Sequence, residues 1–164
     1  MLNYAFIDGQ NLYLGTTRAQ QAWAIDLMRF RVLLKQRYGV GKAFYFIGVY
    51  DIANQKLYDQ LRIAGYILIF REHSGSQVSK KKGNVDGDII FSVMKSLCEQ
   101  EVFDKVVLVS GDGDYKRMVD YLIKKDRLLR ILFPGTNASS LYRKLEPKYY
   151  EYLNSPHIKR KIKK

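Results

Sequence analysis

Short apolar runs alternate with amphipathic stretches along the chain, and their periods separate strands from helices. Residues 4–7 and 106–109 are unbroken apolar runs, the pattern of parallel strands covered on both faces. Residues 43–49, 66–70 and 128–133 have the aromatic and β-branched content of further strands. After Asp26, placed as an N-cap, Leu27, Phe30, Leu33, Leu34 and Tyr38 recur at helical spacing until Gly39 stops the run. A second helix over 54–64 presents Leu57, Leu61 and Ala64 before Gly65. A third begins near Asn84-Val85-Asp86 and carries Ile89, Ile90, Val93, Met94 and Leu97 on one stripe, with Cys98 read as buried packing. A fourth, after Asp114, has Tyr115, Met118, Val119, Leu122 and Ile123 as its buried stripe. The pattern also predicts a loop through Gly15-Thr16-Thr17, a short helix over 139–145 and an edge segment over 149–153. Strands and helices alternating in this way favour an α/β fold: a three-layer α/β/α sandwich around a mainly parallel sheet.

That reading places carboxylates at one edge. The first strand runs into Asp8-Gly9-Gln10-Asn11, and the strand over 106–109 runs into Ser110-Gly111-Asp112-Gly113-Asp114. In open α/β sheets the carboxyl ends of the strands are where ligands collect. The helix after the Lys80-Lys81-Lys82 run brings Asp86 and Asp88 in its first turn. Each acid alone has an ordinary structural role, as a turn residue, a cap or a favourable charge at a helix N-terminus. Together they are costly. Two carboxylates about 5 Å apart at an effective dielectric of about 20 repel by about 3 kcal/mol, so a group of four or five takes up protons or holds a cation. An all-oxygen set with little His or Cys favours Mg²⁺ or Mn²⁺ over zinc. Residues two apart on a helix diverge by about 200°, which makes Asp86 the ligand and Asp88 the weakest candidate.

Composition narrows the partner. A chain of 164 residues, 47% hydrophobic, is the size of one domain with a real core. The expected division is a domain over 1–154 and a flexible basic arm over 155–164, too charged to pack. Lys and Arg total 28 against 16 Asp and Glu, a formal charge of +12 that favours an anionic partner. The lysines at 80–82 lie in a surface loop over 71–83, beside the acids, where they would hold phosphates while the carboxylates hold metal. His73 in that loop is not part of the acidic set. The single cysteine excludes an internal disulfide, no signal-peptide pattern is present, and no apolar run approaches the roughly 18 residues that span a bilayer. The expectation is a cytoplasmic protein without membrane insertion.

Three stretches, Phe6-Ile7-Asp8-Gly9-Gln10-Asn11, Lys82-Gly83-Asn84-Val85-Asp86-Gly87-Asp88 and Val109-Ser110-Gly111-Asp112-Gly113-Asp114-Tyr115, resemble in order and spacing the NYN domains of the LabA-like type, within the PIN-like nuclease group. The resemblance extends over about residues 2–153 and implies a sheet ordered 3-2-1-4-5, which sets the first and fourth strands side by side at the switch point. It also implies an Mg²⁺- or Mn²⁺-dependent ribonuclease hydrolysing phosphodiesters with a metal-activated water and leaving a 5′-phosphate. On that resemblance Asp8, Asp86, Asp112 and Asp114 are metal ligands and Asn11 orients substrate or a ligand. Apart from the resemblance, Ser110 is placed with Lys80, Lys81 and Lys82 as substrate-binding. Where relatives carry a further aspartate one turn beyond Asp86, this chain has Ile90 and Ser92; Asp88 remains as substitute, and the metal count stays open.

Two other functions fit the same residues: an RNA-binding module with little turnover and a structure-specific DNA nuclease. An aspartyl phosphatase wants a second Asp two residues after Asp8, where Gln10 stands. The expected partner is nucleic acid, RNA ahead of DNA, and a homodimer stays open.

Overall fold

The computed structural model describes residues 2–72, 85–99 and 101–164. Lys80, Lys81, Lys82 and His73 therefore lie outside the described residues. Six parallel strands, β1 (Asn3–Asp8), β2 (Val40–Ile47), β3 (Ile67–Phe70), β4 (Val106–Val109), β5 (Leu128–Phe133) and β6 (Tyr150–Tyr152), form one sheet in the order β3-β2-β1-β4-β5-β6. The expected 3-2-1-4-5 order holds, and the edge segment adds the sixth strand.

Every residue of β1 and β4 is buried, because their alternate side chains enter two separate cores. Ala5, Ile7, Val107 and Val109 face one core, packed by Phe30 and Leu34 of α2 (Leu27–Tyr38) and Leu61 of α3 (Gln55–Ile63). Tyr4, Phe6, Val106 and Leu108 face the other, packed by Ile89 and Val93 of α4 (Asp86–Cys98) and Val119 and Leu122 of α5 (Lys116–Lys124). This is the three-layer α/β/α arrangement. Asp26 caps α2 by accepting from the Arg29 N–H, and Gly39, at φ 62°, closes it in the left-handed conformation that glycine tolerates best. Among the described residues no helix is long and apolar enough to cross a membrane.

Several expectations are corrected. The stretch read as a turn and loop after Asp8 is instead a helix, α1 (Gly9–Thr16), which buries only Leu12 and Thr16 and so has no apolar stripe to reveal it. β2 begins at Val40 and ends at Ile47, earlier at both ends than the strand over 43–49, because buried Val40 pairs with Asn3. In α3 Tyr58 is buried along with the expected Leu61, whereas Leu57 is exposed. Cys98 is exposed at the end of α4. The segment over 139–145 makes only the single 3-10 turn Ser140–Tyr142.

The largest correction concerns the expected flexible arm over 155–164. It forms α6 (Pro156–Ile162), whose Ile158 and Ile162 are 1% and 0% exposed in the same core as α2. Its charges point elsewhere: Arg160 and Lys161 are exposed.

Candidate metal centre

β1 and β4 are neighbours, in register with Phe6 opposite Leu108 and Ile7 opposite Val109, and from them the chain passes outward to opposite sides of the sheet. Their carboxyl ends therefore open the crevice typical of such a reversal. Asp8 ends β1, is 4% exposed, and caps α1 with its Oδ1, which accepts from the Asn11 N–H at 2.9 Å. Beyond β4, Asp112 caps the 3-10 turn Gly113–Tyr115, its Oδ1 accepting from the Asp114 N–H at 3.0 Å. Asp86 is the first residue of α4, 7% exposed, and follows Val85, which supplies no side-chain cap.

Asp86, Asp112 and Asp114 can each direct an oxygen to lie within 4.8 Å of the other two. Asp86 is buried, Asp112 half-buried and Asp114 exposed, so the group opens from the protein towards solvent. Three converging carboxylates can hold a divalent cation, and an oxygen-only donor set suits a hard one. Asp88 stands outside this trio; its Oδ2 is buried without a hydrogen-bond partner among the described residues.

Asp8 joins the trio through a phenol. The fully buried Tyr115 hydroxyl lies 3.0 Å from Asp8 Oδ2 and 2.9 Å from Asp86 Oδ1. Burial, reinforced by the charges of Asp8 and Asp86, pushes the Tyr115 pKa far above its ordinary value, so the hydroxyl remains a donor. It has one proton for two carboxylates. Burial raises the Asp8 pKa, against the bonds from Asn11 and Tyr115, and the Asp112 charge adds to the rise. A carboxyl with a raised folded pKa contributes stability below its unfolded pKa, near 3.8, and loses it as pH rises through the folded value. In metal-free protein, ionising Asp8 is thus destabilising. Asp8→Asn, which keeps an acceptor for the α1 cap, should raise the metal-free Tm more at about pH 7.5 than at about pH 4; an equal shift at both would contradict this assignment.

The loop carrying Asp112 is braced on three sides. Asn11 Oδ1 accepts from the Gly111 N–H at 2.8 Å, Tyr142 donates its hydroxyl to the Asp112 carbonyl at 2.6 Å, and Ser110 Oγ accepts from the Asp112 N–H at 3.1 Å. Ser110, expected to bind substrate, is fully buried and instead shapes this loop. Asn11 keeps its Nδ2 without a hydrogen bond among the described residues, a donor available to a ligand.

Sequence reasoning missed Tyr115 and Tyr142 as parts of the site. Tyr115 reads as one more member of the α5 stripe, its only signal being a hydroxyl directly after two aspartates; Tyr142 has none. Tyr115→Phe removes one buried donor and leaves the ring. It should weaken Mn²⁺ binding by about 10- to 100-fold, as loss of a group that orients a ligand does. Isothermal titration with Mn²⁺ tests this, and an unchanged affinity would show that Asp86 needs no bracing.

The NYN domain family model matches residues 4–152. The chain is 25% identical over 136 residues to the low amplitude and bright protein LabA of Synechococcus elongatus, covering 77% of this chain and 70% of that protein. Its fold is similar to the crystal structure of a protein of unknown function from Vibrio parahaemolyticus RIMD 2210633, with a TM-score of 0.73, 18% identity and coverage of 94% and 93% of the two chains.

Proposed function

This chain belongs to the NYN domain family, and on that footing we propose that it is a divalent-metal-dependent ribonuclease of the LabA-like type, hydrolysing phosphodiesters with Mg²⁺ or Mn²⁺. The observation that carries this reading is the convergence of Asp86, Asp112 and Asp114 at the switch point of a parallel sheet. These three are assigned to hold the cation, with Asp88 a lesser contributor. A cation bound there would lower the pKa of a water and offset charge on the phosphate and the leaving oxygen.

The chain's own residues prepare that chemistry. Tyr115 and Asp8 fix the Asp86 carboxylate below the opening, and the Asn11, Ser110 and Tyr142 bonds fix the turn that presents Asp112 and Asp114. Asn11 Nδ2 is assigned to orient a phosphate oxygen. No histidine belongs to the carboxylate group among the described residues, so attack by water is favoured over attack by a 2′-hydroxyl, which wants a general base. The charge of +12 favours a polyanionic substrate, and RNA is proposed ahead of DNA.

The test is a cleavage assay on matched RNA and DNA, single- and double-stranded, with Mn²⁺, with chelator and with Asp112→Asn. Cleavage of RNA that is lost with both chelator and substitution is expected. Tight RNA binding with no cleavage, the same in Asp112→Asn, would make the protein a binding module instead.

A further inference from the structure

A cleft of about 490 Å³ opens beside the carboxylates and shares Asn11 and Gly111 with them. One wall is the end of α1 and the turn after it, the other the loop after β5, and α6 closes the side. α1 and the loop meet with almost no space between them: a Cβ added at Gly15 would lie 2.5 Å from Pro134 Cβ, and one at Gly135 2.8 Å from the Gly15 carbonyl oxygen. The junction of the two walls is therefore fixed by backbone contact.

The chemistry of this cleft is opposite to that of its neighbour. Among the described residues no acidic side chain lines it, and two cations do, Arg18 and Lys159. Arg18 is exposed, whereas Lys159 is half-buried, its Nζ 5.2 Å from the centroid of the buried Trp23 ring. Four carboxamides, Gln20, Gln21, Asn137 and Asn154, also face the space, and among the described residues none makes a side-chain hydrogen bond. A carboxamide offers a donor and an acceptor side by side, the pattern that matches the edge of a nucleobase, and cations beside it match a phosphate. Pockets of this size hold one small ligand. In a base pair the edges that carboxamides would read here are already occupied, which is why sequence-reading RNA sites take unpaired bases.

We propose that this cleft seats one unpaired nucleotide next to the phosphate at the carboxylates, with Arg18 and Lys159 on its phosphate and the four carboxamides on its base. Its position as a flank of the reacting phosphate rests on the nuclease reading; its binding chemistry does not.

Fluorescence anisotropy with single-stranded RNA, single-stranded DNA and duplex RNA, all on an Asp112→Asn background with Mn²⁺, separates the two. Arg18→Ala with Lys159→Gln should raise the Kd for single-stranded RNA at least about 10-fold and reduce the slope of log K against log salt by about 0.7, one phosphate on a single strand. Gln21→Ala with Asn137→Ala should flatten any preference among homopolymers. Arg18→Ala alone, at an exposed position, shows the same salt effect at half size if the double variant folds poorly. A loss on RNA alone identifies contact with the ribose, and an equal loss on DNA identifies phosphate and base contacts only; both support the cleft. Unchanged affinity and salt slope, or duplex bound as tightly as single strands, overturns it. Parent protein that cleaves RNA while the cleft variants bind normally refutes the cleft alone. Cleft variants that lose binding in a protein that never cleaves refute the nuclease reading alone.

Discussion

Asp112→Asn should reduce Mn²⁺-dependent RNA cleavage by at least about 100-fold while changing Tm by no more than a degree or two. The two parts follow from different atoms of one side chain. Asp112 Oδ1 caps the 3-10 turn by accepting from the Asp114 N–H, and asparagine is as good a cap as aspartate, so the turn survives. What is lost is one of three negative charges directed at a common point. Removing like-charge repulsion offsets any small loss of packing in the metal-free protein, because the half-buried Asp112 also raises the Asp8 pKa by its charge. Titration with Mn²⁺ should show weakened binding in parallel with the lost activity. Asp88→Asn is the comparison: standing outside the trio, it should cost far less, and an equal loss would mean that Asp88 holds the cation as fully as the trio does. Full activity in Asp112→Asn would remove the carboxylate trio from the reaction.

How far the site was legible depended on whether local pattern or tertiary contact decided each residue. β1 and β4 read clearly because strands buried on both faces are continuous apolar runs, and the acids at their ends stand where such runs stop. The separation of Asp86 from Asp88 also follows from local geometry, since 100° per residue turns one away from the other. α1 was not legible: it opens on Gly-Gln-Asn, residues that equally suit a turn, and is stabilised by the Asp8 cap and by contacts to the sheet rather than by a stripe. Tyr115 shows the same limit in the site. Its ring packs like any other member of the core, but its hydroxyl bridges two carboxylates from elements 29 and 107 residues away in sequence, which no window along the chain contains. The cleft beside the carboxylates draws on α1, the loop after β5 and α6, two of which the pattern did not foresee as helices.

Ile158→Ala should lower stability by about 2–4 kcal/mol, which for a domain of this size is roughly 5–15 °C in Tm. A flexible basic arm would show no change. The difference arises because burial of two isoleucines is enough to anchor a seven-residue helix that is otherwise charged: each fully buried side chain contributes about 1.5–3 kcal/mol, whereas its exposed Arg160 and Lys161 need no burial at all. The chain end is also held by backbone. The Asp26 N–H donates to the Ile162 carbonyl at 2.8 Å, the Lys164 N–H to Ala24 at 2.9 Å, and Ile25 bridges Lys163 in antiparallel fashion. Arg160→Gln with Lys161→Gln should therefore leave Tm within about 1 °C, while reducing any nonspecific RNA affinity slightly. Ile158 and Ile162 also hold the helix that carries Lys159 to Trp23, so Ile158→Ala should weaken single-stranded RNA binding even at temperatures where the protein stays folded. Stability lost by the isoleucine change and not by the charge changes would establish α6 as part of the core; the reverse result would return it to the status of a solvated arm.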